Sequence, residues 1–501
     1  MPPPPTSARG LLRGALWNQL GQSLPVLAAL LLVPRLVHGL GVESFGILSL
    51  AWMLIGYFTL FDLGVSGALT RLVSERLSTH RQEEIPALVW TSLALTTAMG
   101  VVGAVLIASL APWLVGSVLK VPPELRAQTL GLARVLAAAL PVVTGTAALA
   151  GVLSAQQRFG VLNAIRIPMG ILTYAGPLLV LPWSHSLVAI GLTLAILRLI
   201  GGFAHLAAVR AGTPGFGAGI AMRSSLLSPI LGFGGWMTVT AVVGPLMVYM
   251  DRFVIGALLS MAMVAYYTTP YDLASRLTIL SIPIVNVLFP AFASASSSDP
   301  SRAARLFDWG VRVAAGVLYP FALVLAVFPR EVLTLWLGPE FAAHSAGVLS
   351  LLAAGVFVNG MAQVALARVQ ASGRPDLGAR LHLAELPFYA AMVWFLIRTQ
   401  GIVGAAVAWL VRALVDAAVL FVLAGRMQGG GAAGARTAAI AAAFGLLSLT
   451  LGALTPSLPM RVVIVAASLI VYAVWGWRTI VVPGQRAIGW VALSRGDSVT
   501  S

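Results

Sequence analysis

Tyr249-Met250-Asp251-Arg252-Phe253-Val254-Ile255-Gly256, running on to Ala265-Tyr266-Tyr267-Thr268-Thr269-Pro270-Tyr271-Asp272-Leu273-Ala274-Ser275-Arg276-Leu277, sets four charged side chains inside or at the ends of two apolar runs. A charge at the centre of a bilayer costs about 2.5–3.5 kcal/mol even on lenient insertion scales. Charges kept at such a cost face the protein interior, so Asp251, Arg252, Asp272 and Arg276 read as paired or functional positions.

Composition carries the same reading outward. Apolar residues make up 59% of the 501 and charged residues 9%, against about 25% charged in an ordinary soluble domain. Lipid therefore solvates most of the chain, which makes it a multi-pass membrane protein. There is no cysteine, which removes disulfides, thiol catalysis and cysteine-ligated metals. The six histidines lack ligand spacing, so neither a metal nor a cofactor is expected. The net charge is +15, but the basic residues form no run and do not alternate with aromatics, so nucleic acid is not an expected partner.

A span needs about 20 mostly apolar residues. Fourteen segments meet that criterion, near 14–34, 45–65, 86–110, 127–153, 160–181, 187–209, 230–256, 263–291, 309–329, 343–369, 381–398, 402–425, 436–454 and 460–481. The fold class is an all-α polytopic membrane protein, and the short connections leave no room for a soluble catalytic domain. With the N-terminus in the cytoplasm, inside segments carry 17 arginines and outside ends carry six basic residues. That asymmetry obeys the positive-inside rule with both termini cytoplasmic. The proline-rich start, Met1 to Ala8, reads as a tail, and the apolar segment behind it reads as a retained first helix.

Arg35 and Gly39 stand 217 residues before Arg252 and Gly256, each pair preceded by an apolar run that begins with a proline, Pro25 or Pro245. This hints at an internal duplication, and paired six-helix lobes are a common transporter plan. The expected division is an N-terminal lobe over 1–210, a C-terminal lobe over 211–428, and an appendage of two helices with a tail over 429–501.

Three stretches carry a family resemblance. The exit of the first span, Leu31 to Gly46, contains Gly41-Val42-Glu43-Ser44-Phe45-Gly46, which resembles a G-x-x-x-[FY]-G pattern. Phe61-Asp62-Leu63-Gly64 with Arg71 after it resembles a D-L-G segment and its basic follower. Asp251-Arg252 through Tyr266-Tyr267 to Pro290-Ala291-Phe292 resembles a second-lobe signature. In this order the motifs resemble the polysaccharide transporter (oligosaccharide flippase) family of the multidrug/oligosaccharidyl-lipid/polysaccharide exporter superfamily. The resemblance implies two pseudo-symmetric lobes around a central cavity in a bacterial plasma membrane. It also implies alternating access for an undecaprenyl-diphosphate-linked oligosaccharide, with a polymerase and glycosyltransferases as partners besides membrane lipid.

The residues agree with an anionic cargo. Within the spans, Arg134, Arg198, Arg276 and Arg412 lie deepest, and Arg166, Arg312 and Arg368 fall near span ends, where they snorkel. Arg198 has no acidic residue at helical spacing, which makes it the first candidate for a cavity cation. Asn18 and Gln22, one turn apart, either line that cavity or bridge neighbouring helices. Arg35 and Arg252 belong at an outer vestibule in a substrate or gating role. Asp251 points about 100° from Arg252, so one of the two seeks a further partner. Asp62 holds the cytoplasmic loop, through Arg71. Arg412 and Asp416, at i and i+4, neutralise each other. Asp272 and Arg276 share that spacing, and either form a purely structural pair or hold Arg276 toward the cargo. Rival readings are a lipid II flippase, a cation-coupled multidrug exporter, a polytopic glycosyltransferase or polymerase, and a membrane scaffold.

Overall fold

The structure, a computed structural model, describes residues 8–57, 64–227, 246–427 and 432–481. Helices dominate, and no strand occurs among the described residues. The chain divides into two compact units, Met1–Ala265 and Tyr266–Ser501.

The first unit contains α1 (Ala8–Leu40), α2 (Val42–Tyr57), α3 (Val65–Ser78), α4 (Ile85–Trp113), α5 (Pro123–Ala155), α6 (Phe159–Val180), α7 (Leu187–Gly212) and α8 (residues 246–258). It ends inside α9 (Met261–Ser275). The second unit continues through α10 (Ile282–Ser298), α11 (Pro300–Val327), α12 (Pro329–Leu337), α13 (Pro339–Ala371), α14 (Pro375–Gly425), α15 (Ala432–Leu454) and α16 (Leu458–Gly476).

Each of the fourteen expected segments overlaps a helix, the second and seventh partly on residues outside the described ones. Nine helices among the described residues are long and apolar enough to span, ten if the pair Met261–Leu280 and Ile282–Ala295, bent by 41°, is one span. The 51 residues of α14 hold two expected spans, broken at Gly401 with φ 63° and ψ −143°. Two helices were not anticipated. α3 lies in what reads as a loop, yet Val65, Ala68, Leu69 and Val73 give it one buried face. α12 is nine residues long, too short to span, and is bounded by Pro329 and the positive-φ Gly338.

The glycines of the Gly41–Gly46 pattern have separate structural causes. Gly41, at φ 77°, occupies the left-handed region that lets the chain turn from α1 into α2. A Cβ on Gly46 would collide with the carbonyl oxygen of Met261. The pattern thus encodes a tight corner followed by contact of α2 with the start of α9.

Packing in the first unit centres on Val65, Leu69, Leu88, Val152, Leu153 and Phe216. Trp90 stacks on Phe216 at 4.8 Å and donates from Nε1 to its carbonyl at 3.3 Å. The loop after α4 caps the end of α8, where Lys120 donates from its backbone to Gly256 O at 2.8 Å and from Nζ to Leu258 O at 2.6 Å. In the second unit, α11 carries a buried stripe of Phe307, Val311, Leu318 and Leu323. Tyr319 ties α15 and α16 to it, stacking on Tyr472 at 3.9 Å with its hydroxyl 2.7 Å from Ser448 Oγ. Outward faces stay apolar, as Val101, Val102, Val105 and Leu106 on α4 show. In lipid such faces need no cover, and helices associate by close packing and polar contacts rather than by escape from water.

Candidate functional site

α1, α5, α6 and α7 line a half-open cavity of about 400 Å³ within the first unit. Arg166 and Tyr174 of α6, Arg198 and His205 of α7, and Thr146 of α5 contribute its polar wall. Close approach of α1 to α6 fixes one side, because a Cβ on Gly170 would lie 2.6 Å from Pro25 Cγ. Pro25 also lies inside α1, where it removes a rung of the helical ladder.

Arg198 and His205 are seven residues apart on α7, two turns along one face. Arg166 stands seven residues into α6, roughly 10 Å from the helix start at 1.5 Å per residue. His205 is buried with Nδ1 2.7 Å from Gly201 O. A carbonyl only accepts, so Nδ1 carries the hydrogen, and Nε2 is an acceptor until it is protonated. Arg166 and Arg198 form no hydrogen bond or ion pair among the described residues, and no carboxylate lines the wall. Two guanidiniums beside a histidine, with no counterion among the described residues of the wall, are an arrangement that can take up an anion. Guanidinium is suited to phosphate because its planar fork donates two parallel hydrogen bonds.

Sequence reasoning singled out Arg198 and left Arg166 among the snorkelling residues. The structure brings the two together. His205 was missed altogether, although its spacing of seven from Arg198 was legible. The other snorkelling assignments change as well. Arg312 is held by Asp308 at 2.6 Å, and Arg368 is buried with its guanidinium 4.8 Å from the Phe307 ring.

The remaining candidates lie elsewhere. Asn18 and Gln22 fall on α1, but their side chains lie outside the described residues, as does the whole of Asp62. Arg35 is exposed on α1, and Arg134 is exposed on α5 and absent from the cavity wall. Arg252 is buried instead of opening on a vestibule, donating from Nη1 to Val248 O at 2.7 Å and lying 5.1 Å from the Tyr249 ring. It does meet its neighbour Asp251, also buried, at 3.9 Å. Asp272 is exposed and Arg276 half-buried. α9 ends at Ser275 and Arg276 opens a 3-10 turn, Arg276–Leu280.

Arg412 and Asp416 need correction. Asp416 is turned to His382, with Oδ1 3.4 Å from Nε2, and Arg412 lies 5.4 Å from the Tyr389 ring and 5.8 Å from the Trp409 ring. Two aromatic faces take the guanidinium, and the other half of α14 supplies the aspartate's partner, so the local pair does not form.

A bundle of apolar helices that holds a basic cavity is the build of a multi-pass membrane protein. The chain belongs to the polysaccharide biosynthesis protein family, whose profile matches residues 11–296. It is 27% identical over 420 residues to a putative O-antigen transporter of Shigella flexneri, covering 83% of this chain and 98% of that protein. The lipid II flippase MurJ in an inward closed conformation shares its fold with a TM-score of 0.73 at 11% identity, covering 93% of this chain and 99% of that one. An inward-facing multidrug resistance MATE transporter gives 0.66 at 14% identity over 87% and 96% of the two chains.

Proposed function

We propose that this protein is a flippase, not an enzyme, which moves an undecaprenyl-diphosphate-linked oligosaccharide across the bacterial plasma membrane by alternating access, for assembly of a surface polysaccharide. The observation that carries the reading is the acid-free cavity with Arg166, Arg198 and His205 on its wall. A diphosphate-sugar headgroup is anionic and polar, and about 30 Å of hydrocarbon opposes its passage. Fixed cations within the spans replace the water and counterions that the headgroup leaves behind. The family and the O-antigen transporter relative support the class of cargo. Glycosyltransferases and a polymerase then act before and after the transfer. The positive-inside asymmetry supports cytoplasmic termini.

A multidrug exporter for organic cations fits poorly, since no acidic residue stands among the described residues of the wall. The fold shared with MurJ favours lipid II as a second reading, because that headgroup also carries a diphosphate. The test is Arg198→Ala, with Arg198→Lys beside it, in cells that depend on this protein for surface glycan. Export falls in Arg198→Ala at unchanged protein level and is partly kept in Arg198→Lys, with peptidoglycan synthesis normal. Unchanged export, or export that only tracks protein level, overturns the assignment, and failure of peptidoglycan synthesis transfers it to lipid II.

A further inference from the structure

Where α15 begins and α16 ends, against Arg312 on α11, the second unit has a half-open cavity of about 560 Å³ that the transport reading does not use. Arg312, Arg436, Thr437, Ile440, Trp475 and Thr479 line it. Asp308 organises one wall, accepting from Thr437 Oγ1 at 2.6 Å while its other oxygen holds Arg312 Nη2 at 2.6 Å. Arg312 Nη1 also donates to Thr479 O at 3.3 Å, joining α11 to the turn that follows α16. Its Nε is buried with no hydrogen-bond partner among the described residues. Arg436 is exposed and makes no ion pair or hydrogen bond among them. Two arginines against one aspartate leave a single positive charge.

An apolar strip leads away from this basic end. Ile440, Leu447 and Leu451 are exposed along α15, and Val471 and Val474 along α16. The same end of the second unit carries Arg302, Arg305, Arg374, Arg380 and Arg426 at the starts and ends of α11, α14 and their loops, the basic signature of a cytoplasmic leaflet.

We propose that this cavity is a binding site for an anionic phospholipid, with the phosphodiester on Arg436 and Arg312 and the acyl chains on the α15 and α16 strip. The residual charge of the cavity is neutralised by the single negative charge of a phosphodiester. Arg436 supplies the free fork, and Arg312 stands on the same wall, held in place by Asp308. Basic pockets between membrane helices on the cytoplasmic side suit such headgroups, and Trp475 is of the residue type that settles at headgroup depth. A soluble phosphate has no use for the apolar strip, which is why a lipid is the occupant. Tyr319 and Tyr472 clamp α16 to α11 deeper in the bundle, and the lipid closes the open end of the same junction.

The experiment is native mass spectrometry of the purified full-length protein titrated with phosphatidylglycerol or phosphatidylcholine of matched chains. Phosphatidylglycerol binds in preference, and Arg436→Gln weakens it about fivefold while phosphatidylcholine binding is unchanged. Arg436→Glu, which reverses the residual charge, gives a second variant with a larger selective loss should Arg436→Gln fail to fold. Equal binding of the two lipids, or wild-type phosphatidylglycerol binding in the folded variants, overturns the site. Competition by glycerol phosphate as strong as by the lipid reassigns it to a soluble anion. Displacement by a polyprenyl diphosphate at equal concentration makes it part of the cargo path, and both of these results overturn the proposal.

Discussion

His382 Nε2 stands 3.4 Å from Asp416 Oδ1, a contact between residues on opposite sides of the break in α14 at Gly401. Two helical halves that meet in this way require the chain to reverse between them. Gly401 makes the reversal at φ 63° and ψ −143°, a region open to glycine and closed to residues with a Cβ. Gly401→Ala strains the turn by about 1–3 kcal/mol. The expected outcome is a lower melting temperature of the purified protein and more aggregate in size-exclusion chromatography. A variant as stable as wild type shows that the hairpin turns by other means.

Gly46 faces a different constraint. A Cβ there runs into the Met261 carbonyl, a backbone atom that has no rotamer by which to move aside. Gly46→Ala therefore pushes α2 off the start of α9, at a cost of about 1–3 kcal/mol. Thermal unfolding measures the loss. Gly160→Ala is the control, since a Cβ at that position meets nothing within 4 Å.

Asp299 caps α11, accepting from Ser301 Oγ at 2.6 Å and from the Arg302 amide at 2.9 Å. These hydrogen bonds, led by that from Ser301, hold its carboxyl below the usual aspartate range. A depressed folded value means that the contribution is complete above the unfolded aspartate value and is lost as pH falls through the folded one. Wild type is accordingly more stable than Asp299→Ala at neutral pH. The gap narrows only in acid below the ordinary aspartate range, and a gap that widens there contradicts the cap.

Much of this fold was legible because membrane solvation writes itself into composition. Long apolar runs are unambiguous when lipid is the solvent, and all fourteen segments met helices. The amphipathic α3 and the nine-residue α12 escaped, since neither has the length or polarity of a span. Side-chain pairing was legible only where partners share a helix, and even there proximity misled. Arg412 and Asp416 have the right spacing, but the aspartate turns to His382 and the guanidinium to Tyr389, both on the other half of α14, and to Trp409. Arg198 was found because nothing at helical spacing answers its charge. Arg166 was not, because its place near a span end has a sufficient explanation in snorkelling until α7 is seen beside it.

Topology gives a test that needs no transport assay, since the chain has no cysteine of its own. Ser117 follows α4 and Ser78 ends α3, both exposed. Ser117→Cys reacts with an impermeant thiol reagent in intact spheroplasts, and Ser78→Cys reacts only after lysis. Labelling of Ser78→Cys in intact spheroplasts inverts the assigned orientation.

Arg166 and Arg198 line one cavity from different helices, so their joint contribution separates a shared anion site from two independent structural roles. A hydrogen bond from a charged group contributes about 1.5–3 kcal/mol, so either alanine variant loses roughly ten- to a hundredfold in affinity for a lipid diphosphate. If both guanidiniums grip one diphosphate, removing the second after the first costs less than removing it alone, because the remaining contact has lost its orientation. The double variant is then less impaired than the product of the single effects. Residues in contact through a shared partner show such coupling, at about 0.5–3 kcal/mol. The measurement is binding of a polyprenyl diphosphate to the four purified proteins in nanodiscs, with melting temperature as the check on folding. Strictly multiplicative losses assign the two arginines to separate tasks and remove the common site.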